Sequence, residues 1–183
     1  MSKLFTPRFI FVLVVIVSAA AMRLIPHWPN FTPIAAMALF GGVYMSRKAL
    51  AFVIPLVAMF ISDLILGLHS SMIAVYAAFS ITVGIGMLLA KNPKVLNIAA
   101  ASITSTVIFF LITNFAAWLS SPELYPQTFS GLIAAYVAGL AFLNDGNGIS
   151  FFLNSLLGDL FYTTVFFGVF YLARLKFPVL ATR

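Results

Sequence analysis

"FSGLIAAYVAGLAFL", residues 129–143, is the stretch on which the topology of this chain turns. It is almost wholly apolar, yet as a helix it would rise only about 22 Å against a hydrocarbon core about 30 Å thick. The apolar run 31–45 has the same length and the same shortfall. Five further apolar runs cover 9–21, 49–68, 72–90, 98–119 and 149–175. None alternates polar and apolar residues as barrel strands do, so helices are expected to span the bilayer.

The composition requires a membrane. Of the 183 residues 63% are hydrophobic and 8% are charged, more apolar surface than one water-soluble core of this size could bury. The expectation is an all-α membrane protein with a single transmembrane domain over 1–183, the lipid bilayer being its first partner. Ten Lys and Arg against four Asp and Glu give a net charge of +6, but no basic cluster exceeds two adjacent residues. No nucleic-acid partner is expected, because topology accounts for the charge. The absence of cysteine excludes disulfides, thiolate nucleophiles and Cys-type zinc sites. The opening "MSKLFTPRFIFVLVVIVSAAAM" has the sections of a secretory signal, with Ala19 to Ala21 as a candidate cleavage site, but its role as the first helix of a multi-spanning chain is the favoured reading.

The positive-inside rule decides which short run crosses. Suppose 31–45 crosses and 129–143 stays in the outer leaflet, giving six spans with both termini cytoplasmic. Lys3, Arg8, Arg47, Lys48, Lys91, Lys94, Arg174, Lys176 and Arg183 then all lie inside. Arg23 alone among the bases falls outside, with Asp63, Glu123, Asp145, Asp159, His27 and His69. A seventh crossing would export Arg174, Lys176 and Arg183. Six transmembrane helices, a short second one and an extra non-crossing outer helix before the last span are therefore expected.

That orientation gathers the chemically distinctive side chains on one face. In "ISDLILGLHSSM" (61–72) Asp63 lies about one turn before the helix end and His69 sits in the tight loop that follows. Met72, Tyr76 and Phe79 share one face of the fourth helix, and Asn114 and Trp118 share one face at the end of the fifth. Ser155, Asp159 and Tyr162 line up on the last helix, where Asp159 falls about 8 Å inside the membrane. An intramembrane carboxylate needs a partner or a wet cavity. The plain alternative is that Asp63 or Asp159 pairs with Arg23 as a structural tie, and that Trp28, Trp118, Tyr125 and Tyr76 are interfacial belt residues. "NDGNG" (144–148) lacks the downstream glutamate of a calcium loop and reads as a turn. In "RLIPHWPNFTPIAAMALFGG" (23–42), Pro26, Pro29 and Pro33 stiffen a connection able to roof a cavity, and Asn30 is placed to cap the second helix. Ala35, Ala38, Gly41 and Gly42 allow that helix to approach its neighbours closely.

Six helices with a short second one and a ligand-type outer face resemble the substrate-binding S-components of energy-coupling factor vitamin transporters. The segments 23–42, "PLVAMFISDLILGLH" (55–69), "TNFAAW" (113–118) with "YPQTFSGL" (125–132), and "NSLLGDLFY" (154–162) are similar to those of the BtuM-like solitary cobalamin transporters. The resemblance implies a bacterial cytoplasmic (inner) membrane protein that captures a vitamin, cobalamin preferred, from the periplasmic side. The cobalt-ligating cysteine known in that family is absent here. His69 occupies the corresponding region, and a neutral imidazole is a good axial ligand for the cobalt of cobalamin. The bulky "RFIFVLVVIV" (8–17) in place of an alanine-spaced first helix favours a protein that works alone or with a different partner over one docked on a shared energising module.

The expected function is membrane transport: binding of a vitamin-type small molecule in a periplasm-facing cavity by His69, Asp63, Met72, Tyr76, Asn114, Trp118, Asp159, Tyr162, Trp28 and Asn30, followed by uptake. No intrinsic cofactor is expected, cobalamin entering only as the transported ligand. With no nucleotide motif in the chain, uphill transport would need another subunit or trapping of the product. The alternative is a non-transporting integral membrane subunit or scaffold of the cell envelope. An enzyme using Asp63, His69 and Asp159 as acid and base is disfavoured, since neither a nucleophile nor a metal quartet is recognisable.

Overall fold

A computed structural model describes residues 5–68, 70–141 and 150–181. His69 and the "NDGNG" turn, with Asp145, lie outside the described residues. The described chain forms seven α-helices: α1 (Pro7–Met22), α2 (Ile34–Tyr44), α3 (Lys48–Leu66), α4 (Met72–Leu89), α5 (Val95–Ser120), α6 (Phe129–Ala141) and α7 (Phe151–Lys176), with a 3-10 turn at Pro178–Leu180. No strand element occurs among the described residues. Four helices, α3, α4, α5 and α7, are long and apolar enough to cross a membrane, which makes this a multi-pass helical membrane protein. The remaining three are apolar but shorter.

Local chemistry sets the helix ends. Thr6 precedes Pro7 and its hydroxyl accepts from the Phe9 N–H at 3.1 Å, so α1 begins with proline where no intrahelical donor is lost. Ser150 caps α7 in the same way through the Leu153 N–H at 3.2 Å. Gly67, at φ 105°, ends α3 in a conformation open to glycine and strained for other residues.

The short α2 lies at the centre, with all eleven of its residues buried, and packs against α1, α3, α4, α5 and α7. Small side chains make this possible. A methyl group on Gly42 would press on the Val83 carbonyl and come within 2.9 Å of the Gly86 Cα, and one on Gly86 would sit 3.0 Å from the Gly42 Cα. The α2 and α4 backbones therefore touch glycine to glycine, the close approach by which helices gain packing energy in lipid. A methyl on Gly41 would likewise meet Pro55 of α3 at 3.1 Å and Ile16 of α1 at 3.3 Å. Toward its C-terminus α2 changes from small to large: Phe40 packs against Phe166, Phe167 and Phe170, and the Tyr44 and Phe170 rings lie 4.1 Å apart. Arg8 closes this region, its Nε donating to the Tyr44 carbonyl at 3.0 Å and so satisfying one of the last acceptors of α2.

Polarity is distributed inside-out relative to a soluble domain. Val14, Val57, Ile73, Leu88, Leu111 and Leu172 face outward, while Ser62, Asp63, Thr82, Ser102, Thr106, Asn154, Asp159 and Thr163 are buried. This is the pattern a hydrocarbon solvent imposes. Two ends of the bundle follow from the chain path. At the carboxylate end α1, α3 and α5 finish and α2, α4 and α7 begin, around Asp63 and Asp159; at the basic end lie Arg8, Arg47, Lys48, Lys91, Lys94 and Arg174. Before α6 starts, the Trp118 Nε1 donates to the Pro126 carbonyl at 3.0 Å. Within α6, Tyr136 donates to the Leu111 carbonyl at 3.1 Å and Gly139 lies against the Asn114 side chain. These contacts keep α6 beside the last part of α5.

Candidate functional site

The two buried carboxylates have different surroundings. Asp63, on the last turns of α3, is 2% exposed, and its Oδ1 lies 2.7 Å from an Arg23 guanidinium nitrogen. Its Oδ2 accepts from the Tyr76 hydroxyl at 2.7 Å. Arg23 also donates to the Ser62 hydroxyl and to the Met59 carbonyl, the latter at 3.3 Å. Both carboxylate oxygens are thus occupied, by a cation from the end of α1 and a phenol from α4. The structural tie between Asp63 and Arg23 is present, and it joins three helices.

Asp159 has one partner among the described side chains, Thr106 of α5, whose hydroxyl donates to Oδ2 at 2.6 Å. Ser102 and Thr163 approach to 3.3 Å one turn further along the same α5–α7 seam. Asp159 also lines a chamber of about 440 Å3, together with Arg23, Asn30, Thr32, Phe79, Phe109 and Ser155. A second chamber of about 210 Å3 adjoins it, shares Asn30, Phe109, Thr113 and Ser155 with it, and extends to Asn114, Tyr125 and Gly139. The Phe79 and Phe109 rings stack at 5.4 Å and 27°, forming one flat apolar wall. Opposite charges, hydroxyls and amides, and an aromatic face therefore meet in one hollow at the carboxylate end.

The connection 23–33 closes this hollow through Arg23, Asn30 and Thr32. It lies directly on α7 because position 158 is glycine: a methyl there would meet the Phe31 Cα at 3.1 Å and the Thr32 nitrogen at 3.2 Å. Asn30 adopts φ 61°, which asparagine tolerates better than most residues. It does not cap α2 as expected. Pro33 is the residue before that helix and no side chain caps it, because the left-handed turn at Asn30 directs the chain away first. Asn30 lines both chambers instead.

The expected site residues divide accordingly. Asn30, Asn114 and Asp159 line the chambers. Asp63 and Tyr76 are spent on each other and on Arg23, and Tyr162 is buried against Phe31 with ring centroids 5.6 Å apart. Trp118 is held by Pro126, and Trp28 is exposed with its ring edge on Phe31. Met72 opens α4 and is not among the residues lining either chamber. His69 falls outside the described residues, and among the described ones no cluster of three metal-ligating side chains exists. Thr106, Thr113 and Phe109 were not anticipated. Ser102, Thr106 and Thr113, spaced by four and seven, form a polar stripe on one face of an apolar helix, and that periodicity is a signal for them.

Fold and site together define a multi-pass helical membrane protein with a polar, aromatic-walled hollow at one end of its bundle. A sequence family described only as a family of unknown function (DUF6580) matches residues 3–180, and the chain belongs to that family. No curated protein and no solved structure matches it.

Proposed function

We propose that this chain is a membrane uptake protein that captures a vitamin-type small molecule in the chamber beside Asp159. In this reading α1 to α5 and α7 cross the bilayer, α6 stays in the outer leaflet, both termini are cytoplasmic and the carboxylate end faces the periplasm of a bacterial inner membrane. The distribution of basic residues supports that orientation, since the described Lys and Arg residues other than Arg23 belong to the basic end. The short α2 crosses with the help of the segments that flank it. The resemblance to S-components, and to solitary cobalamin transporters among them, points the same way.

The observation that carries the reading is the place of Asp159 in the wall of that chamber. A buried carboxylate with a single donor among the described residues, in the wall of a hollow of about 440 Å3, is costly unless water or a ligand completes it. The hollow has the size of a small-ligand site, and its stacked Phe79–Phe109 wall suits a planar ring. N–H donors or a positive group would face Asp159, and an acceptor group would face Arg23. Cobalamin is larger than both chambers together, so its capture requires the 23–33 connection or α6 to swing outward. A smaller vitamin enters the chambers as they stand.

The test is to purify the protein from cells grown with cobalamin and record its absorbance, then titrate it calorimetrically with single vitamins. One vitamin should bind, and Asp159→Asn should weaken that binding at least about tenfold, the loss of one charge-assisted hydrogen bond. A colourless preparation that binds none of them would favour the scaffold reading.

A further inference from the structure

A crevice of about 590 Å3 opens between α5 and α7 on the basic half of the bundle. Its α7 wall runs from Leu160 to Arg174, about 21 Å of helix, comparable to an extended acyl chain. Val95, Ile98, Leu160 and Phe167 make most of its lining apolar. Lys94 and Arg174 stand at its basic end, and the Arg174 guanidinium lies 4.9 Å over the Tyr171 ring. Lys94 is also the residue just before α5, and no side chain caps that helix, so its first N–H groups lie at the same end of the crevice.

The described acids, Asp63, Glu123 and Asp159, all belong to the other end of the molecule. Two cations and a helix N-terminus therefore face an apolar slot with no carboxylate beside them among the described residues. A second copy of this chain offers no described acid at that level, which argues against a helix–helix contact there. A molecule with one anionic head and a long apolar tail complements both parts. We infer that the α5–α7 crevice is a binding site for an anionic phospholipid, its phosphate held by Lys94, Arg174 and the start of α5 and one acyl chain laid along α7 toward Leu160.

Gly168 provides a clean test. It lines the crevice, and a Cβ built there would meet nothing within 4 Å, so Gly168→Leu adds apolar bulk to the slot with no clash at its Cβ. Lys94 and Arg174 are both exposed, so Lys94→Gln with Arg174→Gln removes charge without opening the core. The thermal midpoint of the full chain in detergent is measured with added phosphatidylglycerol or phosphatidylcholine. For the natural chain phosphatidylglycerol should raise the midpoint by about 5 °C or more beyond phosphatidylcholine near saturation. The double charge variant should respond equally to both lipids, and Gly168→Leu should lose most of its response to either. Equal responses in the natural chain, or a preference that survives both sets of substitutions, would overturn the assignment. So would a dimer of the natural chain that Gly168→Leu converts to monomer, because the crevice would then be an interface between copies.

Discussion

Asp63 and Asp159 are both buried near the same end of the bundle, and only one of them is finished. Asp63 has a guanidinium on one oxygen and a phenol on the other; Asp159 has a single threonine hydroxyl and an open chamber. Burial of a carboxylate is therefore a poor marker of a site by itself. The number of partners left unmade is the better one, because an ion completed by its own protein has no reason to bind anything else.

Removing each partner should separate the two regions by stability. The largest effect is expected for Asp63→Ala, which strands the Arg23 guanidinium at the end of α1. It should cost about 3–5 kcal/mol and appear as a sharply lower thermal midpoint or failure to purify as a monodisperse species. Tyr76→Phe removes one charge-assisted bond from Asp63 and should cost about 1.5–3 kcal/mol by the same melting measurement. Thr106→Val deprives Asp159 of its donor, yet the chamber lets water replace the hydroxyl, so a smaller loss of about 1 kcal/mol is expected. Asp159→Asn should change the midpoint least, by less than about 1 kcal/mol, since an amide oxygen still accepts from Thr106 and no cation is stranded. If Asp159→Asn proved as destabilising as Asp63→Ala, the contrast between the regions would disappear.

The helices were legible because the apolar runs are bounded by prolines, glycines and paired basic residues that the bilayer interface requires. The close packing of α2 was legible for a related reason: Gly41 and Gly42 in so short an apolar run have little use except backbone approach. Which carboxylate would meet Arg23 was not. That choice depends on how α1 crosses α3, and periodicity reports the face of a helix but not the neighbour it meets. Tyr76 shows the same limit, since the spacing places it on one helix face with Met72 and Phe79 but does not say that its hydroxyl donates to Asp63. Asn30 was misjudged because capping competes with left-handed turns for the same residue type, and residues 31–33 decide between them. Thr106 escaped notice because a threonine in an apolar helix ordinarily bonds back to its own carbonyls, as this one also does to Ser102 at 3.1 Å.

The central claim is that the Asp159 chamber is a wet site reached from the periplasm. Because the chain has no cysteine, a single Ser155→Cys substitution places one thiol in the wall of both chambers, and Lys91→Cys places one at the basic end. A charged, membrane-impermeant thiol reagent applied to intact spheroplasts should modify Ser155→Cys and leave Lys91→Cys untouched until the cells are broken. Modification of Lys91→Cys in intact cells, with Ser155→Cys protected, would contradict the account.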